Sequence, residues 1–93
     1  MFEIRIEGET AYLAGRLDAA ESDQANAQIA TLPGPITLDC TQLEYISSAG
    51  ISVLMVAYKR MLAAGKGFRM VNLLPRVKNV FVYAGLDKLL GIE

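Results

Sequence analysis

Histidine is absent from these 93 residues. Without imidazole, no Ser-His or Cys-His pair can activate a nucleophile, and the commonest nitrogen ligand for a metal is missing. Cysteine is almost as scarce. Cys40 stands alone, which rules out an intrachain disulfide and nearly excludes a structural zinc site. A single Cys within a strand reads as a small, inert hydrophobe. Long apolar runs are lacking as well. No stretch reaches the ~18 residues that a membrane-spanning helix needs, and Glu3, Arg5 and Glu7 interrupt the beginning of the chain. Neither a membrane span nor a signal peptide is expected, and a cytoplasmic location is the default. Positive charge is not in surplus: nine Lys and Arg stand against ten Asp and Glu, for a net charge of −1. That leaves little to neutralise a nucleic-acid backbone. There are no repeats, linkers or low-complexity segments, and no cofactor motif.

What is present suits one small folded domain over residues 1–93. The composition is 53% hydrophobic and 20% charged. A chain of this length buries on the order of 60–65% of its unfolded surface, enough for a core without staples.

Phe2, Ile4 and Ile6 alternate with charged residues, the signature of a half-buried strand. Gly8-Glu9 suits a tight hairpin turn, and Thr10 to Gly15 reads as the returning strand. Gly15 to Asp18 is then expected to leave the sheet. Residues 19–31 are rich in Ala, Gln, Asp and Glu and favour a mostly solvated helix, ended by Pro33-Gly34-Pro35. Ile36, Leu38 and Cys40 make a short strand, with Asp39 and Thr41 at its exit.

The strongest helix signal follows. Ile51, Leu54, Met55, Tyr58, Met61 and Leu62 fall on one face, and Val53, Val56 and Ala57 widen it towards burial on more than one side. Gly65 is the expected stop. Lys59, Arg60, Lys66 and Arg69 read as a solvated end. Phe68 to Leu73 reads as a strand. Pro75 opens a helix that buries Val77, Val80, Phe81 and Ala84, and Gly85 ends it. Leu86, Leu89 and Leu90 pack a final turn or helix.

The order ββαβαβα predicts an α/β fold, with a mixed and mostly parallel four-stranded sheet and helices packed on it. Sites in such sheets gather beyond the carboxyl ends of the parallel strands. Gly15–Asp18, Thr41–Ser48 and Asn72–Pro75 are expected to meet there.

The segment YISSAGISVL, residues 45–54, therefore falls at the candidate site. Ser47 or Ser48 can cap the long helix, with Gly50 letting the chain turn. A serine there can also accept phosphate. Phosphate brings about −1.5 to −2 charges to a helix N-terminus that favours them. Ser48 as a catalytic nucleophile is excluded, because the nearest candidate base, Lys59, lies ~16 Å along the helix.

The run LDCTQLEYISSAGISVLMVAYKRMLAAGKGFRMVNLLPRVKNVFVYAGLDKLLGI resembles the STAS domain of bacterial anti-sigma-factor antagonists. GRLD at 15–18 resembles that family's Gly-x-Leu-Asp segment, and Asp39–Thr41 its Asp-x-Ser/Thr. The resemblance spans nearly the whole chain. It implies a non-enzymatic regulator whose unphosphorylated form binds an anti-sigma-factor serine kinase of the histidine-kinase-like ATPase type and frees the sigma factor. It also implies that phosphorylation ends binding and that a PP2C-type phosphatase reverses it.

The family turn reads Asp-Ser-Ser/Thr-Gly, with the first Ser modified. Aligned on Gly50, the phosphosite is Ser48, with Ser47 as the alternative. Ser47 then replaces the family acid and Ala49 the second hydroxyl residue. The partner-binding set implied is Asp18, Asp39, Ser47, Ser48, Ala49, Gly50 and Ser52. Asp18 also suits a cap of the following helix, and Asp39 either orients the turn or stands as an exposed charge. Leu74 replaces the Ser that relatives often place before the Pro. The alternative function is a constitutive STAS scaffold subunit, for example in a lipid-transport complex. A nucleotide-binding domain ranks below both, since no phosphate-loop lysine motif is present.

Overall fold

The apolar alternation at the start becomes a hairpin, and the rest of the sheet is built onto it. In the computed structural model, which describes residues 1–92, β1 (Phe2–Glu7) pairs antiparallel with β2 (Thr10–Leu17) across the Gly8-Glu9 turn. Gly8 takes φ +62°, a conformation that favours glycine. β3 (Ile36–Ile46) and β4 (Phe68–Val71) add in parallel, giving the order β1-β2-β3-β4. The connections are α1 (Ser22–Ile29), α2 (Ser48–Ala63) and α3 (Pro75–Tyr83), the last following β4. The expected mixed, mostly parallel α/β sheet is therefore present.

One face of the sheet carries the core. Ala11, Leu13 and Leu17 of β2 and Ile36, Leu38, Cys40, Leu43 and Ile46 of β3 are buried. Val53, Leu54, Ala57 and Met61 of α2 and Val77 and Phe81 of α3 join them in one cluster with Met70. The helices thus cover one face. Tyr12, Ala14, Asp39, Thr41 and Gln42 line a hollow of about 450 Å³ on the other, together with Glu3 and Arg5. Arg5 lies over the Tyr12 ring at 4.6 Å and Arg16 over Tyr45 at 4.3 Å.

Several expectations are corrected. β3 is an 11-residue strand, not a short one, and β2 continues to Leu17. Gly15, Arg16 and Leu17 do not leave the sheet but pair with Leu43, Tyr45 and Ile46. β4 stops at Val71, because Asn72 takes φ +60° and turns the chain. α1 is eight residues long, shorter than the 19–31 expected, though mostly solvated as read, with only Ala25 and Ile29 buried. α2 is buried on one side only: Val56 and Leu62 are 56% and 65% exposed. Ala84 and Leu89 are exposed rather than packed.

The basic end of α2 is not simply solvated. Arg60 donates from Nη1 to the Leu32 carbonyl at 2.7 Å and from Nη2 to that of Ile29 at 3.0 Å, and Lys66 Nζ donates to the Pro33 carbonyl. The chain closes in hydrogen-bonded turns, not a helix, and Ile92 bridges to Met70 beside β4.

Candidate functional site

The two serines hold different positions. Ser47 is the N-cap of α2, with φ −92° and ψ 173°. Its Oγ accepts the Gly50 N–H at 3.2 Å, and its own N–H donates to the Leu17 carbonyl at 3.0 Å. Ser47 is thereby tied to the end of β2 as well as to the helix. Ser48 is the first helical residue and is exposed. Its side chain has no hydrogen-bond partner among the described residues, while its carbonyl accepts from Ser52 Oγ at 3.1 Å. The opening N–H groups of a helix lack intrahelical acceptors and carry the positive dipole end. No acidic residue lies in the first turn of α2 to neutralise it.

Gly50 is required for a reason other than turning. It is helical and buried, not at positive φ. A Cβ there would sit 2.7 Å from the Leu17 carbonyl oxygen and 2.8 Å from Ile46 Cγ1. The glycine lets the helix start press onto the ends of β2 and β3, which seats Ser47 and Ser48 at the carboxyl edge of the sheet.

Asp18 follows Leu17 directly and is half-buried. Its Oδ1 accepts the Glu21 N–H at 3.3 Å. That bond closes the turn before α1, whose N-cap is Glu21 and carries no side-chain cap. Asp18 therefore supports the approach to α1 rather than capping it. Between the two helices, Ser22, Asp23 and Asn26 of α1 face Ala49, Ser52, Val53 and Val56 of α2 across a groove of about 360 Å³. The α1 contributors were not singled out in the sequence. Val56 was read there as widening the buried face of α2, and it is instead 56% exposed at this groove.

Asp39 does not orient the serine turn. It pairs with Tyr12, five residues of β2 before Leu17, or roughly 17 Å away at ~3.3 Å per residue. Its Oδ1 accepts from the Thr41 N–H at 3.0 Å and the Thr41 hydroxyl at 2.7 Å, and Oδ2 accepts from Asn72 Nδ2 at 3.2 Å. These bonds, the Thr41 hydroxyl first, hold the Asp39 carboxyl below its ordinary value against a smaller opposing effect of burial. Asn72 bonds Asp39 near the start of β3, while Arg76, just after Pro75, donates from Nε to the Glu44 carbonyl at 3.1 Å, two residues before the end of that strand. Of the three expected segments, Gly15–Asp18 and Thr41–Ser48 are joined at the serine turn by the Ser47 N–H on the Leu17 carbonyl, and the third approaches Thr41–Ser48 through Arg76 on Glu44.

Leu74 provides no side-chain cap to α3, and Pro75 opens that helix, both as read from the sequence. Among the described residues no His/Cys/Asp/Glu cluster could hold a metal, and no helix is long and apolar enough to cross a membrane.

A family model described as "Mlab, STAS domain" matches residues 3–91. No curated protein sequence matches the chain. Among solved structures, a candidate anti-sigma factor antagonist from Thermotoga maritima is similar at a TM-score of 0.79 and 20% identity, over 98% of this chain and 84% of that one. The anti-sigma factor antagonist SpoIIAA in its unphosphorylated form is similar at 0.76 and 23% identity, over 100% of this chain and 86% of its own. The Bacillus cell fate determinant SpoIIAA in its phosphorylated form is similar at 0.68 and 22% identity, over 100% and 89%. At these identities the likeness is one of fold.

Proposed function

The chain belongs to the STAS domain family, and from that premise we propose that it is an anti-sigma-factor antagonist switched by phosphorylation at Ser48. In this reading residues 1–93 act as one non-enzymatic STAS module. The unphosphorylated form binds an anti-sigma-factor serine kinase of the histidine-kinase-like ATPase type, so that the sigma factor is released. Phosphorylation of Ser48 ends the complex, and a PP2C-type phosphatase restores it.

One observation carries the reading: of two adjacent serines, Ser47 has its hydroxyl committed as a cap, and Ser48 presents an exposed, unbonded hydroxyl at the first turn of α2. The fold tolerates a phosphate there, because the helix N-terminus favours anions by ~0.3–1 kcal/mol at exposed positions. A partner surface laid over the same turn does not, since a buried unpaired charge costs several kcal/mol and each ~1.4 kcal/mol is tenfold in affinity. Asp18, Ala49, Gly50 and Ser52 would lie within the covered surface. Asp39 would contribute only if the partner reached across the open sheet face.

The test is to incubate the protein with its kinase and ATP and map phosphate by mass spectrometry. Modification at Ser48, abolished in Ser48→Ala, is expected, together with at least tenfold weaker kinase binding by Ser48→Asp. Absence of phosphate from both serines would sink the switch.

A second reading, a constitutive scaffold subunit, is favoured by Ser47 standing where the family turn carries an acid. It expects no phosphate at either serine and partner binding indifferent to Ser48→Asp.

A further inference from the structure

The two outer edges of the sheet differ. Beside β4, Ile92 bridges to Met70. Beside β1 no strand pairs among the described residues, and its register with β2 runs without a bulge from Phe2 to Glu7. β1 holds no Pro and no Lys, two residues that commonly guard an edge.

The phase of the free backbone groups follows from the hairpin. Arg16 N–H donates to the Met1 carbonyl at 2.9 Å, and Glu7 faces Thr10 across the two-residue turn. Hydrogen-bonded pairs alternate along an antiparallel ladder. Met1, Glu3, Arg5 and Glu7 therefore direct their backbone groups at β2, while Phe2, Ile4 and Ile6 direct theirs outward.

We propose that β1 is a homodimerisation edge, along which two copies of this chain pair antiparallel with Ile4 facing Ile4 on the two-fold axis. In that register Phe2 faces Ile6 of the second copy, and Glu3 faces Arg5, each pair occurring twice. The three outward-facing positions exchange hydrogen bonds in full, and the closer, non-bonded pairs are the oppositely charged Glu3 and Arg5. Ile6, 41% exposed, gains an apolar neighbour in Phe2 of the second copy.

Sliding the pairing by one hydrogen-bonded step either way sets like charges opposite each other: Arg5 on Arg5 with Glu3 on Glu7, or Glu3 on Glu3. A longer slide that sets Ile6 on Ile6 restores opposite charges but shortens the ladder. The charge order Glu-Arg-Glu thus selects one register. Arg5 is open to solvent on this edge: it lies over the Tyr12 ring and bridges Glu7 at 3.1 Å, through side chains that are 67% and 57% exposed. The pairing joins the two sheets into one of eight strands and leaves the serine turn of each copy at the far side of β2, next to β3. An edge of this length is small against the ~1,200 Å² of a stable interface, so dimerisation is concentration-dependent.

Sedimentation equilibrium of the full chain over a series reaching millimolar concentration tests this. The wild type is expected to dimerise, Arg5→Glu to weaken the dimer by at least about tenfold, as like-charge juxtaposition costs over a kcal/mol, and the swap Glu3→Arg with Arg5→Glu to restore it. Far-ultraviolet circular dichroism reports whether each variant is folded. Should Arg5→Glu unfold, Ile6→Lys at the exposed edge replaces it and is expected to weaken the dimer comparably. A monomer at every concentration, a dimer indifferent to the folded variant, or a folded swap that fails to restore pairing would each overturn the proposal.

Discussion

At the scale of single residues, the serine pair resolves into a cap and a free hydroxyl. Ser47 Oγ accepts the Gly50 N–H, so Ser47→Ala is expected to cost about 1 kcal/mol in urea unfolding. Ser47→Asp, which restores the family acid, should hold stability within about 0.5 kcal/mol, because Asp caps as well as Ser. A large loss with Asp would show that the cap is not the role of residue 47. Gly50→Ala sets two effects against each other. Ala gains up to ~1 kcal/mol in helix propensity, but its Cβ would lie 2.7 Å from the Leu17 carbonyl oxygen and 2.9 Å from Leu17 Cγ. That carbonyl is backbone, anchored in β2 and already bonded to Ser47 N–H. Overpacking of this kind costs about 1–3 kcal/mol, so a net loss of stability is expected in the same unfolding assay.

At the scale of elements, what was legible in the sequence and what was not have physical causes. β1 was readable because Phe2, Ile4 and Ile6 alternate without interruption. The second half of β3 was not. Its buried residues Cys40, Leu43 and Ile46 fall at intervals of three, not two. The cause is two register shifts, by which Leu13 opposes both Cys40 and Thr41, and Glu44 has no counterpart between Gly15 and Arg16. Each extra residue displaces the alternation by one position, and the polar Thr41, Gln42 and Glu44 then resemble a loop. This is also why Asp39 was expected near the serine turn: a strand read as ending at Cys40 brings its exit close to Ser48. The serine turn itself was legible, because cap chemistry is local. Arg60 was misread because its partners are 28 and 31 residues away. It binds Ile29, the last residue of α1, and Leu32 beyond it, so α2 holds the end of α1 through one guanidinium. Arg60→Ala is expected to destabilise by about 1–2 kcal/mol, since hydrogen bonds to charged groups are worth more than neutral ones. Arg60→Lys should recover less than half of that loss, because an ammonium lacks the fork that reaches two carbonyls. Equal stability of Arg60→Lys and wild type in urea unfolding would contradict the two-carbonyl account.

At the scale of the whole molecule, the residues that are missing shape how stability responds to pH. With no histidine, no side chain of ordinary pKa changes charge between the carboxylates and the thiol. Stability is therefore expected to be nearly flat from about pH 5 to pH 8. On the acid side, Asp39 is held below its ordinary value of 3.8 by Thr41 and Asn72. Its contribution is present above that value and is lost as pH falls through the folded-state pKa. On the alkaline side, burial first, and the Asp39 charge second, push the Cys40 thiol from 9.0 up to about 12. The unfolded chain releases this proton before the folded one does. The unfolded state then binds fewer protons, so unfolding becomes easier as pH rises. The contribution of Cys40 is fully present below about pH 9 and declines from there towards pH 12. The variant Cys40→Ala isolates the effect of this thiol. Its stability should lie below that of wild type at neutral pH, through lost packing at a fully buried position, and the gap should narrow steadily above pH 9 as wild type alone bears the cost of keeping a neutral thiol. Urea unfolding of both proteins at intervals through that range gives the difference curve. A gap that stays constant to high pH would mean that the folded protein lets Cys40 ionise, and so that the core opens to water at the centre of β3.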